Sequence, residues 1–231
     1  MAERSDIAEQ VAGLRTRIAA AAVAAGRAPS DVRLLAATKT VEPRRIIEAL
    51  DAGVDLIAEN RVQEVVAKAS ALAGHTYTAH FIGHLQANKI NALLGQVNCL
   101  QTVDSAGLVE RLQRRLTATG SKLDVFVQIN VSGEPSKSGV SPQDAAPLVE
   151  VVTAASALRL CGYMTVGLNA PDLSAVRAGY GALRELRDRL AVPGADELSM
   201  GMTGDFEAAI AEGATIVRLG SAIFGRRPAP R

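Results

Sequence analysis

From Val32 to Asn60 the chain reads VRLLAATKTVEPRRIIEALDAGVDLIAEN. The run from Leu34 to Ala37 is continuously apolar, has the length of a strand, and gives way to polar residues at Thr38 and Lys39. Pro43 suits the first turn of a helix, Ile46, Ala49 and Leu50 recur at helical spacing, and Gly53 can take the left-handed position that closes it. VDLIAEN then repeats an apolar run with a polar end. The stretch is therefore a strand, a helix and another strand. Its strands are apolar throughout rather than alternating, as expected of parallel strands covered on both faces.

Working outward, the same unit recurs. Toward the amino terminus, Ile7, Val11, Leu14 and Ile18 are spaced as one helix face, with Gly26 at its end, so a helical segment within residues 1–30 precedes the first strand. Toward the carboxyl terminus come a helix from Val62 to Leu72, the run TAHFIGH with a short helix after Asn88, and NCLQTVD with a helix carrying Leu108, Leu112 and Leu116. LDVFVQINVS follows, and Ser141, Pro142 and Asp144 read as the cap, first-turn proline and acidic third position of another helix. RLCGYM, DELSM and ATIVRLG supply the remaining strands. Eight alternating units without a Pro-, Gly- or Ser-rich linker predict an α/β fold: a single (β/α)8 TIM barrel spanning residues 1–231, with the tail RRPAPR at 226–231 frayed. An open doubly wound sheet is the alternative.

Composition narrows the function. With 25 Lys plus Arg against 24 Asp plus Glu the formal charge is +1, too balanced for a field that would gather nucleic acid or an anionic membrane. Aromatic residues make up 3% of the chain, too few for the interleaved stacking that single-stranded RNA requires. Cys99 and Cys161 are far apart in sequence and lack zinc or redox-loop spacing, so a reduced, cytoplasmic chain is expected. The apolar stretch from Ile18 to Ala25 falls well short of the roughly 20 residues that cross a bilayer.

In a barrel the chemistry lies at the carboxyl ends of the strands. The residues there are Lys39, Glu59 with Asn60, His84, Asp104, Asn130, Met164, Ser199 and Arg218. Lys39 follows an apolar run, a setting in which desolvation favours a nucleophilic amine able to form a Schiff base. A solvated lysine at a strand end is the plain alternative. SMGMTGDF (199–206) and RLGSAIFG (218–225) follow the seventh and eighth strands, where barrels frequently bind phosphate. Gly201, Gly204 and Gly220 permit close backbone approach, and Thr203 and Ser221 offer hydroxyls, although either loop alone could be an ordinary turn. Closure would set these loops beside Lys39. A phosphorylated aldehyde suits both, and pyridoxal phosphate adds a ring nitrogen for which Arg218 is a placed partner. A lysine aldolase acting on a sugar phosphate uses the same two features.

His80 and His84 are four apart, but no Cys, Asp or Glu nearby completes a metal site, and no metal is expected. Glu134 and Lys137 read as a loop ion pair, and Arg44, Arg45, Arg111, Arg114 and Arg115 as solvated helix faces.

Six segments together carry a family resemblance: TK (38–39), AENRVQE (58–64), HFIGHLQANK (80–89), INVSGEPSKSG (129–139), SMGMTGDFEAAI (199–210) and VRLGSAIFG (217–225). From Leu34 to Gly225 the chain resembles the pyridoxal phosphate homeostasis protein family, which is similar to the amino-terminal barrel of alanine racemase without its second domain. The resemblance implies pyridoxal 5′-phosphate held as an aldimine on Lys39. It implies Ser199, Gly201, Thr203, Gly220 and Ser221 around the phosphate, Arg218 at the pyridine nitrogen, and Asn60, His84 and Met164 lining the ring pocket. Thr203 with Gly204, and Tyr163 before Met164, depart from the usual serine and leucine of that pattern. It further implies a monomeric carrier or reservoir in intracellular vitamin B6 homeostasis that serves apo-enzymes requiring the cofactor. Arg218 would keep the ring nitrogen unprotonated, and no second domain brings an acid/base group, so turnover is expected to be poor. An amino-acid racemase or lyase of the alanine racemase fold is the alternative function.

Overall fold

The computed structural model describes residues 3–134, 137–168, 170 and 172–225. Eight strands alternate with helices in it. They are β1 (Arg33–Ala37), β2 (Leu56–Glu59), β3 (Thr78–Phe81), β4 (Cys99–Val103), β5 (Leu123–Gln128), β6 (Leu158–Met164), β7 (Glu197–Ser199) and β8 (Ile216–Leu219). The helices are α1 (Glu3–Ala24), α2 (Pro43–Asp51), α3 (Val62–Leu72), α4 (Ile90–Leu93), α5 (Ala106–Thr119), α6 (Ala145–Ala154), α7 (Leu173–Leu190), α8 (Phe206–Ala211) and α9 (Ser221–Phe224). Each strand pairs in parallel with the next, and β1 pairs with β8 through Leu34 with Val217 and Leu35 with Arg218, so the sheet closes into a barrel. The open-sheet alternative is excluded.

Strand alternation divides the apolar residues between two compartments. Leu35, Leu56, Ala58, Cys99, Phe126, Met164 and Ile216 form a small cluster inside the barrel. Leu34, Ala36, Ile57, Val125 and Val217 belong to the larger core between strands and helices. Gly26 and Gly53 take φ of +70° and +87°, the left-handed closures expected after α1 and α2.

One helix start differs from expectation. Asp144 Oδ2 accepts from Ser141 Oγ at 2.6 Å, while Ser141 Oγ accepts the Asp144 amide at 3.2 Å. These bonds close a turn rather than cap a helix, and α6 begins only at Ala145. β3 ends at Phe81, so His80 lies in the strand and His84 beyond it. The tail at 226–231 lies outside the described residues.

The outer ring has an irregular member. β8 is followed by the four-residue α9, too short to cover the strand. α1 covers this seam instead, packing against α2, α8 and α9 through buried Ile7, Val11, Leu14, Ile18 and Ala22. The Arg17 guanidinium lies 4.7 Å from the Phe206 ring centre, and Arg27 Nη1 donates to Ala214 O at 2.7 Å.

Candidate functional site

The β1/β8 seam opens at the carboxyl ends of its strands into a cavity of about 580 Å³. Its wall includes Lys39 after β1, Thr203 and Gly204 after β7, and Arg218, Gly220 and Ser221 from β8 and the turn beyond. The structure thus brings together Lys39, Thr203, Arg218, Gly220 and Ser221, residues separated by most of the chain. Ser221 Oγ donates to Thr203 Oγ1 at 3.3 Å, tying the two loops together by their hydroxyls. Gly220 sits so close to β1 that a Cβ there would lie 3.0 Å from Ala37 O. Gly201 is set further back. It has φ +92°, and a Cβ would approach Ala209 Cβ to 2.6 Å, so its glycine lets the loop pack on α8.

Arg218 is the most constrained group of the site. Its side chain rises inside the barrel and is only 6% exposed. Nη1 donates to Ser199 Oγ at 2.9 Å and Nη2 to Thr165 O at 2.7 Å, both uncharged acceptors. Burial lowers its pKa to about 10, with Tyr180 and Asp205 opposing the shift through their fields. Ser199, expected around the phosphate, is instead fully buried outside the cavity wall, with its hydroxyl on Arg218. Its hydroxyl donates to Gln101 Oε1 at 2.7 Å, and Gln101 Nε2 lies 2.6 Å from His80 Nδ1. His80 is held neutral, its pKa lowered to about 4 by burial and the Arg33 charge against an opposing Asp124. The relay fixes the tautomer: Nδ1 accepts from the Gln101 amide and the proton sits on Nε2.

Asn60, His84 and Met164, the other expected site residues, do not line this wall. Met164 is buried in the inner cluster, on which Ile82 of the cavity wall packs. Asn60 Oδ1 is buried without a hydrogen-bond partner among the described residues. His84 has a side chain 63% exposed, with Nδ1 3.7 Å from Asp104 Oδ2. Lys137 Nζ bonds Glu134 Oε1 at 2.6 Å and Gly167 O at 2.8 Å, so that loop pair also holds the β6–α7 connection. Among the described residues no group of three or more His, Cys, Asp or Glu side chains forms a metal-holding cluster.

Arg45 corrects the reading of the helix-face arginines. It is half-buried, lines the cavity, and donates from Nη1 to Phe224 O at 2.8 Å. Its sequence position on α2 gave no sign of this, because α9 and the turn before it reach α2 only once the barrel closes. With Arg45 included, Lys39, Arg45 and Arg218 face the cavity against one carboxylate, Glu42. Such a lining favours an anion carrying more than one charge. The donor set also fits pyridoxal phosphate. An amine stands beside two hydroxyl-bearing loops, and a buried guanidinium with neutral partners retains an edge toward the same space.

The sequence profile of the alanine racemase N-terminal domain matches residues 14–228. The pyridoxal phosphate homeostasis protein of Pseudomonas aeruginosa is 43% identical over 223 residues, covering 96% of this chain and 96% of that protein. That of Escherichia coli K12 is 39% identical, covering 96% and 97% of the two chains. Among solved structures, PipY of Synechococcus elongatus with PLP bound superposes with a TM-score of 0.83 at 30% identity, covering 95% of this chain and all of PipY (100%). Alanine racemase of Clostridium difficile, at 16% identity and a TM-score of 0.67, shares the barrel alone over 86% of this chain and 53% of its own. A profile match through the whole barrel and near-complete coverage by curated relatives lead to one conclusion: the chain belongs to the pyridoxal phosphate homeostasis protein family, whose fold is the alanine racemase N-terminal barrel.

Proposed function

We propose that the protein binds pyridoxal 5′-phosphate at the β1/β8 seam and acts in its homeostasis as a carrier or reservoir, with little catalysis of its own. The observation that carries this reading is the juxtaposition of Lys39 with the Thr203 and Ser221 loops and with Arg218 in one cation-lined cavity. The names of the curated relatives and the cofactor in PipY support it. When bound, the cofactor supplies an aldehyde that condenses with an amine, releasing one water, and a ring that withdraws electrons. Lys39 provides the amine and is the covalent attachment point. Thr203, Gly204, Gly220 and Ser221 bind the phosphate, with Gly201 shaping the loop. Arg218, which can only donate hydrogen bonds and is held by Ser199, faces the ring nitrogen and keeps it unprotonated. Asn60, His84 and Met164 complete the surroundings of the ring.

The ionisable side chains lining the cavity among the described residues are Lys39, Glu42, Arg45 and Arg218. Tyr180 lies behind the phosphate loops, its hydroxyl donating to Asp205 Oδ2 at 2.9 Å, with burial raising its pKa far above the ordinary phenol range. A positioned acid or base typically contributes 10²- to 10⁴-fold to rate. The protein therefore releases and recaptures cofactor more readily than it turns over amino acids. Its partners are apo-enzymes that need the cofactor, and it works as a monomer, within one domain, in the cytoplasm. The free thiols of Cys99 and Cys161 suit that compartment. Among the described residues no helix is long and apolar enough to cross a membrane.

The test is absorbance of the purified protein with added cofactor, followed by borohydride reduction and peptide mass analysis. The pyridoxyl group is expected on Lys39, and Lys39→Ala is expected to lose it while retaining reversible binding. Label found mainly on Lys89 or Lys137 would refute the attachment site. A protein that stays colourless with added cofactor would instead favour a cofactor-free lysine enzyme. Sustained, Lys39-dependent racemisation or elimination across a screen of L- and D-amino acids would replace the carrier by an enzyme.

A further inference from the structure

The segment bearing Lys39 is gripped from the outer side of the sheet. Thr38 O accepts the Val41 amide at 2.9 Å, making residues 38–41 a turn with Lys39 and Thr40 at its centre. Thr40 has φ +63°, a left-handed value uncommon for any residue with a side chain and costlier for a β-branched one. Backbone of this kind persists where its surroundings over-determine it. Here the Thr40 amide donates to Glu64 Oε2 at 2.6 Å. Lys68 Nζ, from α3, donates to the same oxygen at 2.9 Å, to Glu59 Oε1 at 2.6 Å and to Thr38 O at 2.9 Å. All three ammonium protons are thereby used. Thr38 Oγ1 adds a bond to Glu59 Oε1 at 2.7 Å.

The side chains of Lys68 and Glu59 are 11% and 7% exposed, so this is a buried network. None of Lys68, Glu59 and Glu64 lines the cavity at the β1/β8 seam. A buried ion pair is a poor means of gaining stability, since apolar residues of similar volume often do as well. What apolar residues could not reproduce is the pair of bonds to main chain, at Thr38 and Thr40, on either side of Lys39.

We propose that Lys68 is a positioning residue for Lys39. Directly through Thr38 O, and through Glu64 to the Thr40 amide, it fixes the turn that presents the Lys39 amine to the cavity. The inference rests on Lys39 being the attachment point, and the experiment separates the two ideas. Pyridoxine 5′-phosphate, which has a hydroxymethyl group in place of the aldehyde, reports the phosphate and ring contacts by calorimetry. Stopped-flow absorbance with pyridoxal 5′-phosphate reports capture by Lys39. Lys68→Met is expected to slow capture by about tenfold or more while leaving pyridoxine phosphate affinity within about twofold, as for loss of alignment at a reacting atom. Glu64→Ala is expected to slow capture as well, and Glu64→Gln, whose Oε1 can still accept from Thr40 and Lys68, to restore it. The Glu64 pair decides the matter if Lys68→Met does not fold. Wild-type capture rates in Lys68→Met or Glu64→Ala, or equal slowing in Glu64→Ala and Glu64→Gln, overturn the positioning role. Failure of the unaltered protein to bind pyridoxine phosphate or capture pyridoxal phosphate would instead overturn the cofactor reading.

Discussion

At the scale of single residues, the barrel interior is organised by one buried cation and one neutral imidazole. His80 takes up a proton near pH 6.5 in the unfolded chain, but only near about 4 in the folded one. Between those values the unfolded state binds more protons, so stability falls as pH falls, by roughly 3 kcal/mol once both states are protonated. His80→Gln keeps an acceptor for Gln101 and removes this titration. Melting temperatures measured from pH 7 to pH 4 should fall more steeply for the unaltered protein than for the variant; parallel curves would refute the assignment. On the phosphate loops, Thr203→Ala or Ser221→Ala should each weaken pyridoxal phosphate binding by about 0.5–1.5 kcal/mol, more if a charge-assisted bond is lost. Unchanged affinity in both would remove these hydroxyls from the site. Lys39 was legible in the sequence because it follows an apolar strand, and Arg218 was legible as a polar residue of the last strand, although it lies within β8 and points into the barrel rather than ending the strand. Gln101, His80, Arg45 and Lys68 were not. Their roles depend on neighbours 21 to 179 residues away or on burial that a polar side chain does not announce.

At the scale of elements, the strands could be read because burial on both faces leaves an unbroken apolar run, and most helices because their apolar spacing is regular. The start of α6 was misplaced because Ser141, Pro142 and Asp144 have the same chemistry in a closed turn as in a helix cap. α1 presents a different case. Its stripe of Ile7, Val11, Leu14 and Ile18 was plain, but not the surface that it covers, which exists only because α9 is too short to do so. Ile18 is 4% exposed at this contact. Ile18→Ala should cost about 2–4 kcal/mol in urea unfolding, as do other large-to-small changes in cores. A loss below about 0.5 kcal/mol, the scale of surface substitutions, would show that α1 is not part of the cooperative core.

At the scale of the molecule, closure leaves the sheet of the described residues without a free edge and places the candidate site on the seam where β8 meets β1. A ligand bound across this seam joins opposite ends of the strand order. Pyridoxal phosphate at about 100 times its dissociation constant should add about 2.7 kcal/mol to stability, or roughly 5–10 °C in melting temperature for a chain of this size. Pyridoxine phosphate should give a smaller shift, and a melting temperature indifferent to both compounds would count against binding at the seam.

The covering of that seam by α1 also sets an order of events during synthesis. α1 leaves the ribosome before the barrel strands, yet its contacts with α8 and α9 require residues 206–224, whose synthesis begins only after the 181 residues that separate Ala24 from Phe206. At about 5–20 residues per second the helix waits on the order of 10–40 s with part of its apolar stripe uncovered. During that interval nascent chains depend on chaperones or on provisional packing against α2. Chains stalled before β8 should be cut by protease within α1, and chains released after α9 should resist.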